Sequence, residues 1–417
     1  MKYSKTLGIF LIIIMCSFIT NPLSLNASNS GERKVTQLIT TTKISENYGV
    51  VKFIEKDTQL MYINETETDT GIYTSSKKMF VFDVSTGKKI KEEEVGFEPI
   101  LSVSGRYIVS SEKKYANKNF QNQFGEPPFI KIYDTQTGLS SQFSTESSEK
   151  LLGVLEDEDQ VYAVSLSGDE NRVEIRYYNR SGDYEYNLML PLEHYRTIQM
   201  LANGNILFAT TKHVGTIDYK TGKIYQSVLN SNHNLQYIVN SDSNPYYITV
   251  FGNFAMLPYA TKDLKEHGNL FYDIKNNKLL SAIKLPMKNG TKFTQFGTDM
   301  TPSGLFIGSY GDKSMRVYNI KTGQLISTFF YKDNIDLIKL SKDGKKLFAT
   351  MRGDKEYTTS VINPQTGKII KTIKSFGMIE GMSESGKYVL VSDKEYRIAD
   401  LIVKYPKKRS IWDISKM

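Results

Sequence analysis

From about residue 47 to the end, short apolar runs rich in Val, Ile, Tyr and Phe alternate with polar, turn-forming clusters. Amphipathic helical spacing is scarce, apart from a short turn near Asp263 to His267. Eight of these runs end in Asp or Asn, and in six of them Thr-Gly or Ser-Gly follows. They read FVFDVSTGK at Asp83, IKIYDTQTG at Asp134, IRYYNRSG at Asn179, GTIDYKTGK at Asp218, LFYDIKNNK at Asp273, RVYNIKTGQ at Asn319, SVINPQTGK at Asn363 and YRIADLIVK at Asp400. Self-similarity with a period of about 45 residues predicts a stacked or circular array of one supersecondary unit.

A second element recurs upstream of each Asp or Asn: an apolar strand, a tight polar turn, then another apolar strand. ILSVSGRYIVSS, QMLANGNILFAT, DMTPSGLFIGSY, IKLSKDGKKLFAT and GMSESGKYVLVS are its best copies, and Lys56-Asp57, Glu156 to Asp159 and Ser241 to Asn244 are expected to make the same turn without glycine. Each unit therefore reads as strand a, tight turn, strand b, a variable connection, strand c ending in Asp or Asn, a Thr-Gly turn, and strand d. A four-stranded antiparallel meander of this kind has two bare faces and must stack on neighbours, for which a ring of ~4 to 8 blades is the known solution. The expected fold is all-β, a β-propeller of eight blades, with seven as the alternative. VTQLITTTKI from Val35 is expected to close the ring as the outer strand of the last blade, and IWDIS from Ile411 is either another outer strand or another strand c.

At the N-terminus, Lys2 and Lys5 precede an apolar run from Leu7 to Cys16, then Pro22 and Leu25-Asn26-Ala27. A basic head, a short greasy middle and a small-residue exit predict a secretory signal over residues 1–27. Residues 28–46 are then an N-terminal segment including the ring-closing strand, and 47–417 a single propeller domain. No later apolar stretch reaches the ~20 residues of a membrane span. Cys16 is the only cysteine; Met15 before it and the apolar Phe18 and Ile19 after it disfavour lipid anchoring, and no disulfide staples the chain. Removing the signal takes two lysines and no acid from the net +8, leaving a diffuse +6. Export and the lack of any zinc-finger or RNA-binding signature exclude nucleic acid as a partner. A monomer, secreted or at the cell surface, is expected.

Candidate chemistry is sparse. The chain has no H-E-x-x-H, G-x-S-x-G, C-x-x-C, phosphate loop or dinucleotide glycine pattern, so no catalytic, cofactor or metal residues are assigned. His194, His213, His233 and His267 lack metal-ligand spacing. Glu156 to Asp159 could offer oxygens to calcium, but four adjacent side chains on one turn point apart and read as a solvated tip. The repeated Asp and Asn residues suit bonding to turn N–H groups.

Strand alternation puts the a–b and c–d turns at one end of every blade and the b–c and d–a connections at the other. Three long insertions, from Asn64, from Ser111 to Phe129 and from Phe251 to Asn269, are expected in b–c connections, bringing Tyr115, Phe120, Phe124, Phe254 and Tyr259 to one rim as a ligand-binding face.

The segment Ile338 to Ile373 resembles the YVTN-type and WD-like repeats of exported bacterial propellers, in which a Ser-x-Asp-Gly-Lys hairpin and an Asp-x-x-Thr-Gly turn bracket each blade; Trp412-Asp413 is the one Trp-Asp dipeptide. The resemblance implies the fold. It leaves two functions open: a non-enzymatic scaffold holding an extracellular protein, peptide or cell-wall polymer, and a lactonase-like hydrolase with its site at the channel mouth.

Overall fold

Strands b and c are apolar on both faces because each sheet lies between two others. Ile206–Thr210 is buried at all five positions, whereas the outermost strand of the neighbouring blade, Tyr184–Leu190, buries only two of seven. The computed structural model describes residues 33–38, 50–65, 77–112, 129–145, 149–169, 172–190, 195–235, 248–263, 265–288, 291–292, 295–341, 343–352, 357–374, 378–383, 385–392, 397–398, 401–402 and 409–414. Within them the chain makes eight four-stranded antiparallel blades arranged as a β-propeller, with no helix.

Blade 1 holds strands Val50–Ile54, Gln59–Glu65, Lys77–Asp83 and the first part of Lys89–Leu101. That last strand bends at Gly96, where φ is +79°, and its second part opens blade 2, followed by Tyr107–Glu112, Phe129–Asp134 and Ser140–Ser144. Blade 3 is Lys150–Asp157, Gln160–Asp169, Arg172–Tyr178 and Tyr184–Leu190; blade 4 is Tyr195–Met200, Ile206–Thr210, His213–Ile217 and Ile224–Val228. Blade 5 has strand a in two pieces, His233–Leu235 and Thr249–Phe251, then Phe254–Thr261, His267–Asp273 and Lys278–Lys284. Blade 6 is Gln295–Met300, Leu305–Tyr310, Ser314–Asn319 and Gln324–Phe330; blade 7 is Asn334–Leu340, Leu347–Arg352, Tyr357–Ile362 and Ile369–Lys374. Blade 8 takes Met378–Met382, Tyr388–Ser392 and Arg409–Asp413 from one end of the chain and Arg33–Leu38 from the other.

Burial is organised between blades, not within them. One apolar cluster fills each of the eight junctions among the described residues: Tyr177 of blade 3 stacks on Tyr219 of blade 4, and Phe271 of blade 5 meets Phe306 of blade 6. The eighth cluster joins Phe53, Leu60 and Phe80 of blade 1 to Leu390 and Ile411 of blade 8, so the ring is packed shut as well as hydrogen-bonded shut.

Two turns repeat. In the c–d turn of blade 1 the Gly87 N–H donates to the Asp83 carbonyl at 2.8 Å, and Gly138, Gly222, Gly323 and Gly367 repeat the bond. At two c–d turns glycine is required twice over. Gly182 has φ +89°, and a Cβ on it would lie 2.7 Å from Phe143 on the outer strand of the preceding blade; Gly367 is covered in the same way by Phe329.

Blades 8 and 5 differ from expectation in register. Strand c of blade 8 ends at Asp413, in the Trp412-Asp413 dipeptide, and Asp400 lies outside the described residues. In blade 5 the a–b turn is Gly252-Asn253, with Gly252 at φ +58°, while Ser241 to Asn244 lies outside the described residues. The stretch expected as a loop from Phe251 is strand b. Proline in a strand paired on both sides removes a ladder donor. Here the pieces of strand a pair with Phe254–Met256 and Tyr259–Thr261, which leaves Leu257 and Pro258 opposite the break.

Candidate binding face

The face formed by the a–b and c–d turns consumes its own polar groups. Asp83 Oδ1 accepts the Thr86 N–H at 2.7 Å and the Ser85 and Thr86 hydroxyls at 2.6 and 2.8 Å, which holds its pKa down at about 2. Asp134, Asn179, Asp218, Asp273, Asn319 and Asn363 accept turn N–H groups in the same way. Burial pushes Asp134 upward, but hydrogen bonds from Arg106 at 3.1 Å and from the turn outweigh it and keep this carboxyl low.

The acidic run is a solvated tip only in part: Glu158 and Asp159 are exposed, while the two acids before them bond to neighbouring blades. Glu156 accepts the Ser104 hydroxyl of blade 2 at 2.6 Å, while Asp157 accepts Lys220 at 2.9 Å and the Tyr219 hydroxyl at 2.7 Å from blade 4, and both lower its pKa. Asp57 does the same across the closure, accepting the Ser385 N–H of blade 8 at 3.1 Å. A cleft of about 600 Å³ lies between the turns of blades 6 and 7, with Thr301, Ser303, Asp343 and Gln365 in its wall. Asp343 is bonded to the Ser341 hydroxyl and the Lys345 N–H.

The lowered carboxyls among them, those of Asp83, Asp134, Asp157, Asp218 and Asp343, give the protein an acid limit. A carboxyl whose folded pKa is depressed contributes its full stability above the ordinary value near ~4 and loses it as pH falls through the folded value. The unfolding midpoint should ease down below about pH 6.5, where the unfolded chain protonates His233 before the folded protein does, and drop steeply below ~4. Asp134→Asn should lower the neutral plateau and flatten the acid limb, as followed by urea denaturation at each pH; a plateau persisting to pH 2.5 would count against this.

The opposite face carries the b–c and d–a connections. Short ones join strands b and c in blades 3, 4, 5, 6 and 7; long ones, residues 66–76, 113–128 and 393–408, do so in blades 1, 2 and 8. Tyr115, Phe120 and Phe124 lie outside the described residues. Phe254 and Tyr259 do not join a rim loop: both sit on strand b of blade 5, with relative exposures of 6% and 1%, Phe254 packed toward blade 6 and Tyr259 toward blade 4. Blade 5 thus lacks the long insertion, and blade 8 has one that the repeat pattern did not assign.

Two polar clusters stand behind this face. At the junction of blades 2 and 3, Arg176 donates to Glu149 and Glu174, both at 2.9 Å, with the two carboxylates 1% and 4% exposed. The Tyr178 hydroxyl donates to Glu149 at 2.8 Å, the Ser165 hydroxyl bonds Glu149, and Asn187 bonds Glu174. In blade 5, the Tyr259 hydroxyl donates to Glu266 at 2.6 Å, Lys284 pairs with Glu266 at 2.5 Å, and the His233 ring lies 4.3 Å from that of Tyr259. Burial lowers the His233 pKa, which favours the neutral imidazole. His194 lies outside the described residues, and among the described residues no three His, Cys, Asp or Glu side chains converge as metal ligands. Nor is any helix there long and apolar enough to cross a membrane.

Fold and surface together define an eight-bladed β-propeller with one stereotyped face and one varied face. No protein-family model and no curated protein sequence matches the chain. Its backbone is similar to that of BamB from Moraxella catarrhalis, with a TM-score of 0.50 and 12% identity over 93% of this chain and 99% of that one. It is also similar to a eukaryotic initiation factor, with a TM-score of 0.52 and 12% identity over 86% and 84%, and to the computationally designed Ika8 protein, with 0.50 and 14% over 91% and 100%. At these identities the likeness is one of fold.

Proposed function

We propose that the chain is an exported, non-enzymatic propeller scaffold that holds an extracellular protein, peptide or cell-wall polymer on the face carrying its long b–c connections. One observation carries this reading: the three long b–c connections are rooted at the same end of blades 8, 1 and 2, which are consecutive around the ring. Diversity gathered over three adjacent sectors of a rigid disc is how binding loops are presented on other scaffolds. The basic, apolar and small-residue sequence of residues 1–27 supports export.

Replacing residues 114–127 by a short Gly-Ser link tests it. The urea midpoint should stay within experimental error of the parent, because the flanking strands Tyr107–Glu112 and Phe129–Asp134 keep their pairing. Binding of the labelled protein to washed cells that lack it, and to purified peptidoglycan, should fall at least tenfold for whichever surface the parent binds. Undiminished binding would overturn the assignment of this face.

A further inference from the structure

The perimeter of the disc carries a second surface, independent of the face discussed above. Each blade ends in an outer strand whose far edge has no partner in the blade, and natural sheets guard such edges with charge, bulges or shortness. Here most are guarded. Blade 1 places Lys89, Lys91 and Glu92 to Glu94 on its outer strand, blade 3 Glu185, blade 5 Lys278 and Lys284, blade 7 Lys371 and Lys374, and blade 8 Arg33 and Lys34. Blade 6 is uncharged, but its register slips between Val317 and Tyr318 as in a bulge. Blade 2 is uncharged and regular, but its strand is the polar SSQFS.

Blade 4 has none of these guards except shortness. Its outer strand, Ile224–Val228, reads IYQSV, pairs one-to-one with His213–Ile217 without a register shift, and exposes Ile224, Tyr225 and Val228 at 38%, 37% and 73%. Its hydrogen-bond phase is also fixed. The Asp218 N–H donates to the Lys223 carbonyl at 3.0 Å and the Leu229 N–H to the Lys212 carbonyl at 2.7 Å, so residues 223, 225, 227 and 229 face strand c. In an antiparallel ladder the alternate residues face away, and Ile224, Gln226 and Val228 turn their N–H and C=O groups to the open edge.

Charge selects the occupant. The exposed Lys223 leads into this edge and the exposed Lys212 stands one strand in at its other end, across from Leu229; Asp218, across from Lys223, is taken up by Thr221 of its own turn, and no Asp or Glu occurs from Tyr219 to Ser241. Antiparallel pairing of two copies would bring like-charged ends together. We infer that the outer strand of blade 4 takes up an extended segment of a partner protein by β-strand addition, the segment being uncharged and partly apolar over about five residues with carboxylates at its two ends.

The probe is a labelled peptide, Glu-Asp-Val-Thr-Ile-Thr-Val-Asp-Glu, beside the same core with lysines replacing the four acids. The acid-ended peptide should bind the full chain at least tenfold more tightly. Gln226→Pro, which removes one outward donor and leaves the inward ladder intact, should weaken it at least tenfold while the urea midpoint shows the variant folded. In hydrogen exchange the amides of Ile224, Gln226 and Val228 should be fast in the free protein and become protected with the peptide, those of Tyr225 and Ser227 being slow in both. Equal binding by the two peptides or by Gln226→Pro, or no change at those three amides, overturns the inference. Protection that develops with protein concentration alone would assign the edge to a second copy and overturn it too.

Discussion

Arg176→Met is expected to destabilise the protein by about 3–5 kcal/mol, because it leaves the Glu149 and Glu174 carboxylates buried at the junction of blades 2 and 3 without their shared cation. Each carboxylate keeps neutral donors, from Ser165, Tyr178 and Asn187, but these do not balance two charges removed from water. The loss should show as a lower urea midpoint at unchanged m-value. Replacing Glu149 and Glu174 together with Arg176 by apolar residues of similar volume should restore most of it, since a buried ionic cluster and a packed apolar one are close in free energy. A near-neutral Arg176→Met would mean that the cluster is hydrated.

Removing residues 28–40 should cost about 2 to 5 kcal/mol, from five paired backbone positions at roughly 1 kcal/mol net for each hydrogen bond, less the ordering cost of the strand. The Arg409–Asp413 strand would then become an open edge, and the protein should gain a tendency to self-associate on size-exclusion chromatography. The apolar cluster between blades 8 and 1 should keep the ring together, so the expected product is a weakened propeller and not an unfolded chain.

What could be read from the sequence was chemistry that is local. Asp or Asn before Thr-Gly marks a strand end because its side chain caps the turn and the glycine supplies positive φ; seven of the eight markers, from Asp83 to Asn363, stand at the ends of strand c, and after Asp273, which no glycine follows, Asn277 takes the positive φ of +49°. The eighth, Asp400, does not end strand c of blade 8, which stops at Asp413. The apolar run before Asp400 mimics a strand c, whereas the true one, Arg409–Asp413, finds its outer partner at the other end of the chain. Blade 5 departs for a related reason: proline is out of place in a strand paired on both sides, and only the break in strand a, which no local pattern reports, makes Pro258 tolerable in FAMLPYAT.

The site was less legible than the fold. Glu149, Glu174 and Arg176 are ordinary charged residues in sequence and become a cluster only when strand c of blade 3 meets the connection leaving blade 2. Glu156 and Asp157 looked like a solvated tip because their partners, Ser104, Tyr219 and Lys220, come from the blades on either side. The polar edge of blade 4 needed hydrogen-bond phase, which follows from the paired register and not from composition.

Closure of the ring by its two terminal strands can be tested by one covalent trap. Gln37 and Ser410 are directly paired across blade 8, and opposed antiparallel residues lie about 4.5–5.5 Å apart at Cα, within disulfide range. In a chain with Cys16→Ser, the pair Gln37→Cys and Ser410→Cys should oxidise completely under native conditions, giving one linked peptide by mass spectrometry and a raised urea midpoint. Two free thiols persisting in the folded protein would contradict the closed eight-bladed disc.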